Sequence, residues 1–414
     1  MKQIEISRLI DQTLNAMKSL GLKESTLKSY RLSGFYRIRK FFFSHEKIYY
    51  SSKIAGDFLT FEKKRLIREK ISARYYRKLQ KSVALLDEFY TTGTMKWAYL
   101  HNHTTVKVNA YFSTILLEYT KTLHESLSAG TINGIQSNVL SFLGYLETNR
   151  HSDFVKISRR EIRDFIVYIS KSHCESMSNI LYSLRSFISY LRDSGIAHID
   201  AGLILQKPAR SRKKVLPCFS HEEVESILRQ IDINLSEGKR DYAILYLAAH
   251  TGLRSIDIVN LKLIDIDWKK DEIQIIQRKT GQALVLPLEP DTGRAIVEYI
   301  LYGRPTSDSP YIFLRSFAPF IKLADVGSMG NIFKKYRNKA GIIHNPGDGK
   351  GLHALRRSMG TWMLEAKVPL TTISQVLGHR NQNSAKQYLS MDHCGLQECS
   401  LGLQAIETEK EELL

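Results

Sequence analysis

Residues 351–392, GLHALRRSMGTWMLEAKVPLTTISQVLGHRNQNSAKQYLSMD, decide how the chain is read. Apolar residues recur at helical spacing, with Leu355, Met359, Trp362 and Met363 as a core stripe. His353 and Arg356 stand three apart and share one face of that helix. Pro369 suits the first turn of a second helix and Gly378 its C-terminal cap. His379 follows at once, at a helix exit, and Tyr388 comes nine residues later on a further short helical segment. Taken singly, each His suits a cap or a core position, and Tyr388 suits packing. Taken together, two His, an Arg and a Tyr on consecutive helix ends suit phosphate chemistry. Arg offers a planar fork to two phosphate oxygens. His exchanges protons near neutral pH, and Tyr can be an oxygen nucleophile when a base and cations assist it.

The order His353-Ala-Leu-Arg356, then Leu377-Gly378-His379, then Tyr388 resembles the C-terminal signature of the tyrosine recombinases, the phage integrase family. The composite carries the resemblance; no single piece does. Upstream, Thr251-Gly-Leu-Arg254-Ser-Ile-Asp257 resembles the family's first arginine box. Gly252 would end one helix and Arg254 begin the next. Asp257 stands where the family usually has Glu, one turn from Arg254, where it can orient that side chain or simply favour a helix N-terminal turn. Residues 272–277 and 283–288 alternate as two strands around Arg278-Lys279-Thr280-Gly281-Gln282, a hairpin with Gly in the turn. The family carries a catalytic lysine on such a hairpin. Lys279 matches it, with Arg278 as the rival.

The resemblance implies DNA strand exchange with no metal and no cofactor. Tyr388 would attack a scissile phosphate and leave a 3′-phosphotyrosyl link and a free 5′-hydroxyl. Arg254 and Arg356 would stabilise the charge developing on phosphate oxygens. Lys279 would protonate the departing 5′-oxygen, His353 would serve as general base, and His379 would hydrogen-bond the phosphate. Expected partners are double-stranded DNA recombination sites, a homotetramer on that DNA, and accessory or directionality factors.

The rest of the chain fits a polyanion partner. Its 414 residues hold 60 Lys plus Arg against 42 Asp plus Glu, a net charge of +18 and a pI near 9.5. Counterion release along nucleic acid rewards such an excess. The four Cys, at 174, 218, 394 and 399, show no paired zinc spacing, and no apolar run approaches a membrane span. A reduced cytoplasmic protein, associated with the nucleoid, is expected.

The expected fold is mostly α with a small β-hairpin in the catalytic domain (α+β), arranged as helical DNA-gripping domains and a catalytic domain that close as a clamp. Residues 1–108 read as a helical module, 109–206 as a core-binding helical domain, 207–218 as a basic linker with two prolines, and 219–414 as the catalytic domain. The linker can lie along phosphates or act as a solvated hinge. Ser220-His-Glu-Glu223 is a capping box opening a helix. In the first module, helices are expected from Leu9 to Leu20, from about Ser25 through Phe42, and from Ala73 to Phe89 with a stop at Gly93. Leu27, Tyr30, Phe35, Ile38 and Phe41 map at a constant offset of 105 onto Ile132, Ile135, Leu140, Leu143 and Leu146, and Phe58 falls near Phe165. Internal duplication explains this, as does the general likeness of amphipathic bundles. The first module can therefore contact accessory DNA or serve oligomerisation. Residues 345–350, glycine-rich, lack the features of a phosphate-binding loop and read as a mobile lead-in to the His353 helix. A tail helix over 395–405 can dock on a neighbouring protomer or pack in cis.

The resemblance is to site-specific recombinases, and the long N-terminal region favours integration, excision or transposition of a mobile element. Chromosome-dimer resolution and type IB topoisomerase activity share the chemistry. A DNA-binding protein without activity, or a metal-dependent hydrolase built on His353 and His379, would need different residues around the signature.

Overall fold

The computed structural model describes residues 3–95, 97, 108–199, 202, 205, 216–323, 326–345 and 348–381. Tyr388, the tail helix, Cys394, Cys399 and most of the expected linker lie outside the described residues. The described chain is mostly helical with one small sheet. It divides into two compact units, residues 1–100 with 215–414 and residues 101–214. No described helix is long and apolar enough to cross a membrane.

In the first unit, the N-terminal helices are α1 (Ile6–Ser19), α2 (Glu24–Ser29), α3 (Tyr36–Ser44), α4 (Ser52–Ile67) and α5 (Ala73–Thr92). The expected single helix from Ser25 to Phe42 is interrupted, because Tyr30–Phe35 forms a wider π-turn between α2 and α3. Helix α5 presses on it there: a Cβ at Gly34 would overlap the Ser82 hydroxyl. α4 was not legible as a helix in the sequence, since only Ala55, Phe58 and Glu62 of it are buried. Ile6, Leu9, Leu14, Phe35, Ile38, Phe42, Phe58, Leu79 and Leu86 form this core. Ala318 and Ile321, from the far end of the chain, pack against the same core, and Phe320 lies against Gly21. These helices therefore share apolar surface with a loop of the catalytic region.

Among the described residues, the second unit has the helices α6 (Ala110–Leu123), α7 (Ala129–Thr148), α8 (Arg159–His173) and α9 (Met177–Asp193). Ser158 and Glu161 start α8 with a capping box, which satisfies donors that a helix start leaves open. The core is mainly apolar, with Phe112, Phe142, Phe165, Phe187 and Leu191 fully buried. Ile132 and Leu143 are buried like their counterparts Leu27 and Ile38, and Phe165 like Phe58. Leu140 is only half-buried where Phe35 is fully buried.

The catalytic region comprises α10 (His221–Arg229), α11 (Ser236–Thr251), α12 (Ser255–Val259), β1 (Ile266–Asp267), β2 (Glu272–Ile276), β3 (Ala283–Pro287), α13 (Pro290–Tyr302), α14 (Val326–Lys339), α15 (His353–Glu365) and α16 (Leu370–Val376). The strands form one antiparallel sheet in the order β1-β2-β3, with Ile273 opposite both Ile266 and Leu286. Ile266, Ile273, Leu284 and Leu286 face the core, as period-two alternation requires. α11 is buried nearly all round, and α13 and α15 pack against it. α15 is likewise more buried than an amphipathic stripe implies: Leu355 is buried as expected, Met359, Trp362 and Met363 only half-buried, while Arg356, Arg357 and Ser358 lie inside. Ser358 Oγ accepts the Phe219 N–H (2.7 Å), and Arg357 Nη2 donates to Gly349 O (2.6 Å) and Pro217 O (3.1 Å). The chain entering the catalytic region and the 345–350 lead-in are thus both tied to α15. Pro369 caps α16 rather than occupying its first turn.

Candidate active site

Two glycines create the backbone on which the site is hung. Gly252 ends α11 with φ +61°, and Gly378 follows α16 with φ +58°. Both are left-handed conformations that glycine adopts without a Cβ penalty. Space excludes a side chain as well: a Cβ on Gly378 would run into the Gln277 amide, and one on Gly252 would lie 2.7 Å from Leu377 Cδ2.

The freed carbonyls of these two helix ends accept from the two arginines. Arg356, on the first turn of α15 and 4% exposed, donates from Nη1 to Gly252 O (2.7 Å) and from Nη2 to Leu377 O. Arg254, at the start of α12, donates from Nη2 to Gly378 O (3.2 Å) and from Nη1 to Gln277 Oε1 (2.7 Å). Neighbouring carbonyls of one turn, 377 and 378, so hold one guanidinium each. This fixes both forks without neutralising their charge.

The hairpin is fastened to the same place. Gly281 N–H donates to Gln277 O (2.8 Å) and Gln277 N–H to Gln282 O (2.9 Å), closing the turn that carries Lys279. Gln277, fully buried at the end of β2, accepts on Oε1 from both Arg254 and the Thr280 hydroxyl (2.7 Å). One amide therefore joins the first arginine, the lysine-bearing turn and the Gly378 turn. Sequence reasoning missed this residue. Its only local signal is a polar residue at a strand end, and its partners are 23, 3 and 101 positions away. Asp257 is buried and accepts the Arg278 N–H on Oδ1 (2.8 Å), so it anchors the hairpin's first residue. Burial pushes the Asp257 carboxyl above the usual carboxylate range, opposed by the Arg278 N–H and the nearby Arg254 and Arg356 charges.

His353 begins α15 and His379 follows the Gly378 turn. Although His353 is exposed at the surface, desolvation by the protein around it, then the charges of Arg356, Arg357, Lys279 and Arg254, hold it at about 4. Burial, then Arg356, Arg254 and His353, hold His379 at about 4 as well. Both imidazoles are neutral at pH 7, in the form that can accept a proton. The structure therefore brings Arg254, Lys279, His353, Arg356 and His379 into one electropositive cluster. Tyr388 lies outside the described residues.

Two results are expected from this geometry. Gly378→Ala forces a Cβ into the Gln277 amide at positive φ. Overpacking and backbone strain each cost on the order of 1–3 kcal/mol. A chemical denaturation curve should show that loss, and an unchanged midpoint would contradict the close approach. The two histidines give a pH dependence. Each binds its proton near pH 6.5 when unfolded but only near 4 when folded. Between those values the unfolded chain holds more protons, so stability falls as pH drops from about 6.5 to about 4 and levels off below. The melting temperature should follow this course, and a His353→Gln/His379→Gln variant should show a flatter one. Equal slopes in both proteins would mean that the imidazoles titrate normally.

Residues 217–393 match the model of the phage integrase family. Among curated proteins, the chain is 38% identical over 170 residues to one named integrase/recombinase y4gC from Sinorhizobium fredii, covering 41% of this chain and 86% of that one. It is 30% identical over 269 residues to integrase/recombinase y4rA of the same organism, covering 64% of each. With the tyrosine recombinase XerD of Listeria innocua the identity is 29% over 273 residues, 64% of this chain and 89% of that one. Among solved structures, XerH bound to a palindromic difH substrate matches with a TM-score of 0.55 at 19% identity, over 70% of this chain and 84% of that one. A lambda integrase dimer bound to a COC′ core site matches at 0.53 and 19%, over 72% and 98%. The last two matches concern the fold.

Proposed function

The chain belongs to the phage integrase family, the tyrosine recombinases, enzymes that break and rejoin DNA strands, and on that premise we propose that it is a site-specific recombinase of a mobile element. The observation that carries the reading is the convergence of two carbonyl-held guanidiniums with two neutral imidazoles and Lys279 around the Gly252 and Gly378 turns. Such a cluster suits a phosphodiester. Its donors are fixed before the substrate arrives, so little reorganisation accompanies the reaction.

In the proposed reaction, the Tyr388 oxygen attacks phosphorus and the bond from phosphorus to the 5′-oxygen breaks. The tyrosyl proton passes to neutral His353, and Lys279 gives a proton to the leaving 5′-oxygen, which departs as a hydroxyl. Arg254 and Arg356 bind the non-bridging oxygens, and His379 donates to one of them once the phosphate's charge has raised its proton affinity. A 5′-hydroxyl from a partner duplex then attacks the phosphotyrosyl link and releases Tyr388. The ester energy is conserved, so the exchange needs no nucleotide and no metal. Two duplexes and a homotetramer in the cytoplasm are the proposed setting, with accessory or directionality factors setting the outcome.

Integration and excision are favoured by the integrase/recombinase relatives, one of which aligns over 64% of this chain. Chromosome-dimer resolution is the second reading, favoured by the XerD relative. One experiment tests the shared chemistry and separates the two. Purified protein in EDTA is incubated with suicide duplexes, carrying either the flanking repeats of the adjacent element or the chromosome terminus site. A covalent adduct on the first supports the proposal, an adduct on the second alone supports dimer resolution, and no adduct on either, or one that requires a divalent ion, refutes it.

A further inference from the structure

We propose that the N-terminal helices carry a DNA-backbone site of their own, a groove between α2 and the first turns of α5 that takes the sugar–phosphate strand of duplex DNA. The proposal rests on DNA being the substrate and adds a contact remote from the reacting phosphate. The groove has a volume of 680 Å³, and its lining includes Ser25, Ser29, Ser72, Arg74, Arg77 and Lys78.

Arg74, Arg77 and Lys78 stand at spacings of three and four along α5, on one face. Like charges so placed repel by a few tenths of a kcal/mol. In the same helices Arg37 and Arg65 both pair with Glu62 at 2.9 Å. Among the described residues, no carboxylate lies within ion-pair distance of Arg74, Arg77 or Lys78. Lys78 instead donates to the Ser29 hydroxyl (2.5 Å) and lies 5.8 Å from the centre of the Tyr30 ring. Burial holds its ammonium below the usual lysine range. What sets these three cations apart is that they line one groove together with the Ser25, Ser29 and Ser72 side chains, and an anion from outside completes that set.

The size and the donor chemistry identify that anion as a chain rather than a single ion. Along the groove the three cations span about 6 Å of helix. Hydroxyls beside Arg and Lys are the groups that hold phosphate and sugar oxygens and position a protein on a duplex. Base reading needs other side chains, so the contact adds affinity and salt dependence without sequence preference.

The test measures affinity of the full chain for a fluorescent random-sequence duplex across a salt series. Arg74→Gln/Arg77→Gln/Lys78→Gln should reduce the slope of log affinity against log salt by about 2–3. Arg74→Lys/Arg77→Lys, which keeps the charge, should retain the wild-type slope. Lys63→Gln/Lys64→Gln/Arg68→Gln, at the exposed end of α4, is the control for net charge and should change it by less than about 1. Equal losses in both neutralised triples, or no loss in the first, overturns the groove. Melting curves confirm that every variant is folded. At saturating protein the first triple should still form the covalent adduct on a suicide duplex. Failure of wild type to form it would count against the cleavage reading, while the salt slopes would still judge the groove.

Discussion

Tyr388→Phe is expected to bind duplex as the wild type does and to form no covalent complex on a suicide substrate. Removing a nucleophile leaves transition-state binding in place but no path through the covalent step, and comparable losses are on the order of 10⁶-fold. Phe keeps the ring, so only the oxygen is lost. The readout is a protein–DNA band that resists detergent. An adduct in the variant, mapped to another residue, would move the nucleophile elsewhere and leave the electropositive cluster with a different partner. The cluster is built from residues 252–254, 277–280, 353–356 and 377–379, so it would survive that outcome as an anion site.

Arg254→Lys should lower the rate of adduct formation by about 10² to 10³, the usual cost of losing one donor to a developing oxyanion. Lysine keeps the charge but has no fork. It cannot donate to Gln277 and Gly378 together and still present a second edge to phosphate. Duplex affinity should change far less than the rate. Gln277→Leu should produce a smaller loss of the same kind, since that amide acts through Arg254. The double variant should then lose less than the two single losses combined, because the second change removes support from a fork already gone. Independent, multiplicative effects would detach Gln277 from the arginine and leave it a packing residue.

How much of this was legible beforehand depended on how local each feature is. His353 with Arg356 and the Leu377-Gly378-His379 turn lie within one short stretch, and helical spacing plus a left-handed cap bring them together almost unaided. The hairpin was readable from alternation and a turn glycine, and Arg254 from its place after the α11 cap. Gln277 was not readable, because its value comes from meeting residues more than twenty positions away in both directions. Nor did helical periodicity indicate that Arg356, Arg357 and Ser358 would be internal. Hydrogen bonds to the carbonyls of Gly252, Leu377, Gly349 and Pro217 and from the Phe219 N–H make their burial tolerable. The π-turn at Tyr30–Phe35 likewise lies where Ser82 of another helix comes close.

The packing of Ala318 and Ile321 onto the first five helices bears on how the protein is made. The loop that covers part of their apolar surface is translated more than two hundred residues after those helices. At about 5–20 residues per second, that surface stays open for tens of seconds. A nascent chain halted before residue 318 would expose it to chaperones, and an early stop codon there would yield a sticky fragment rather than a tidy domain.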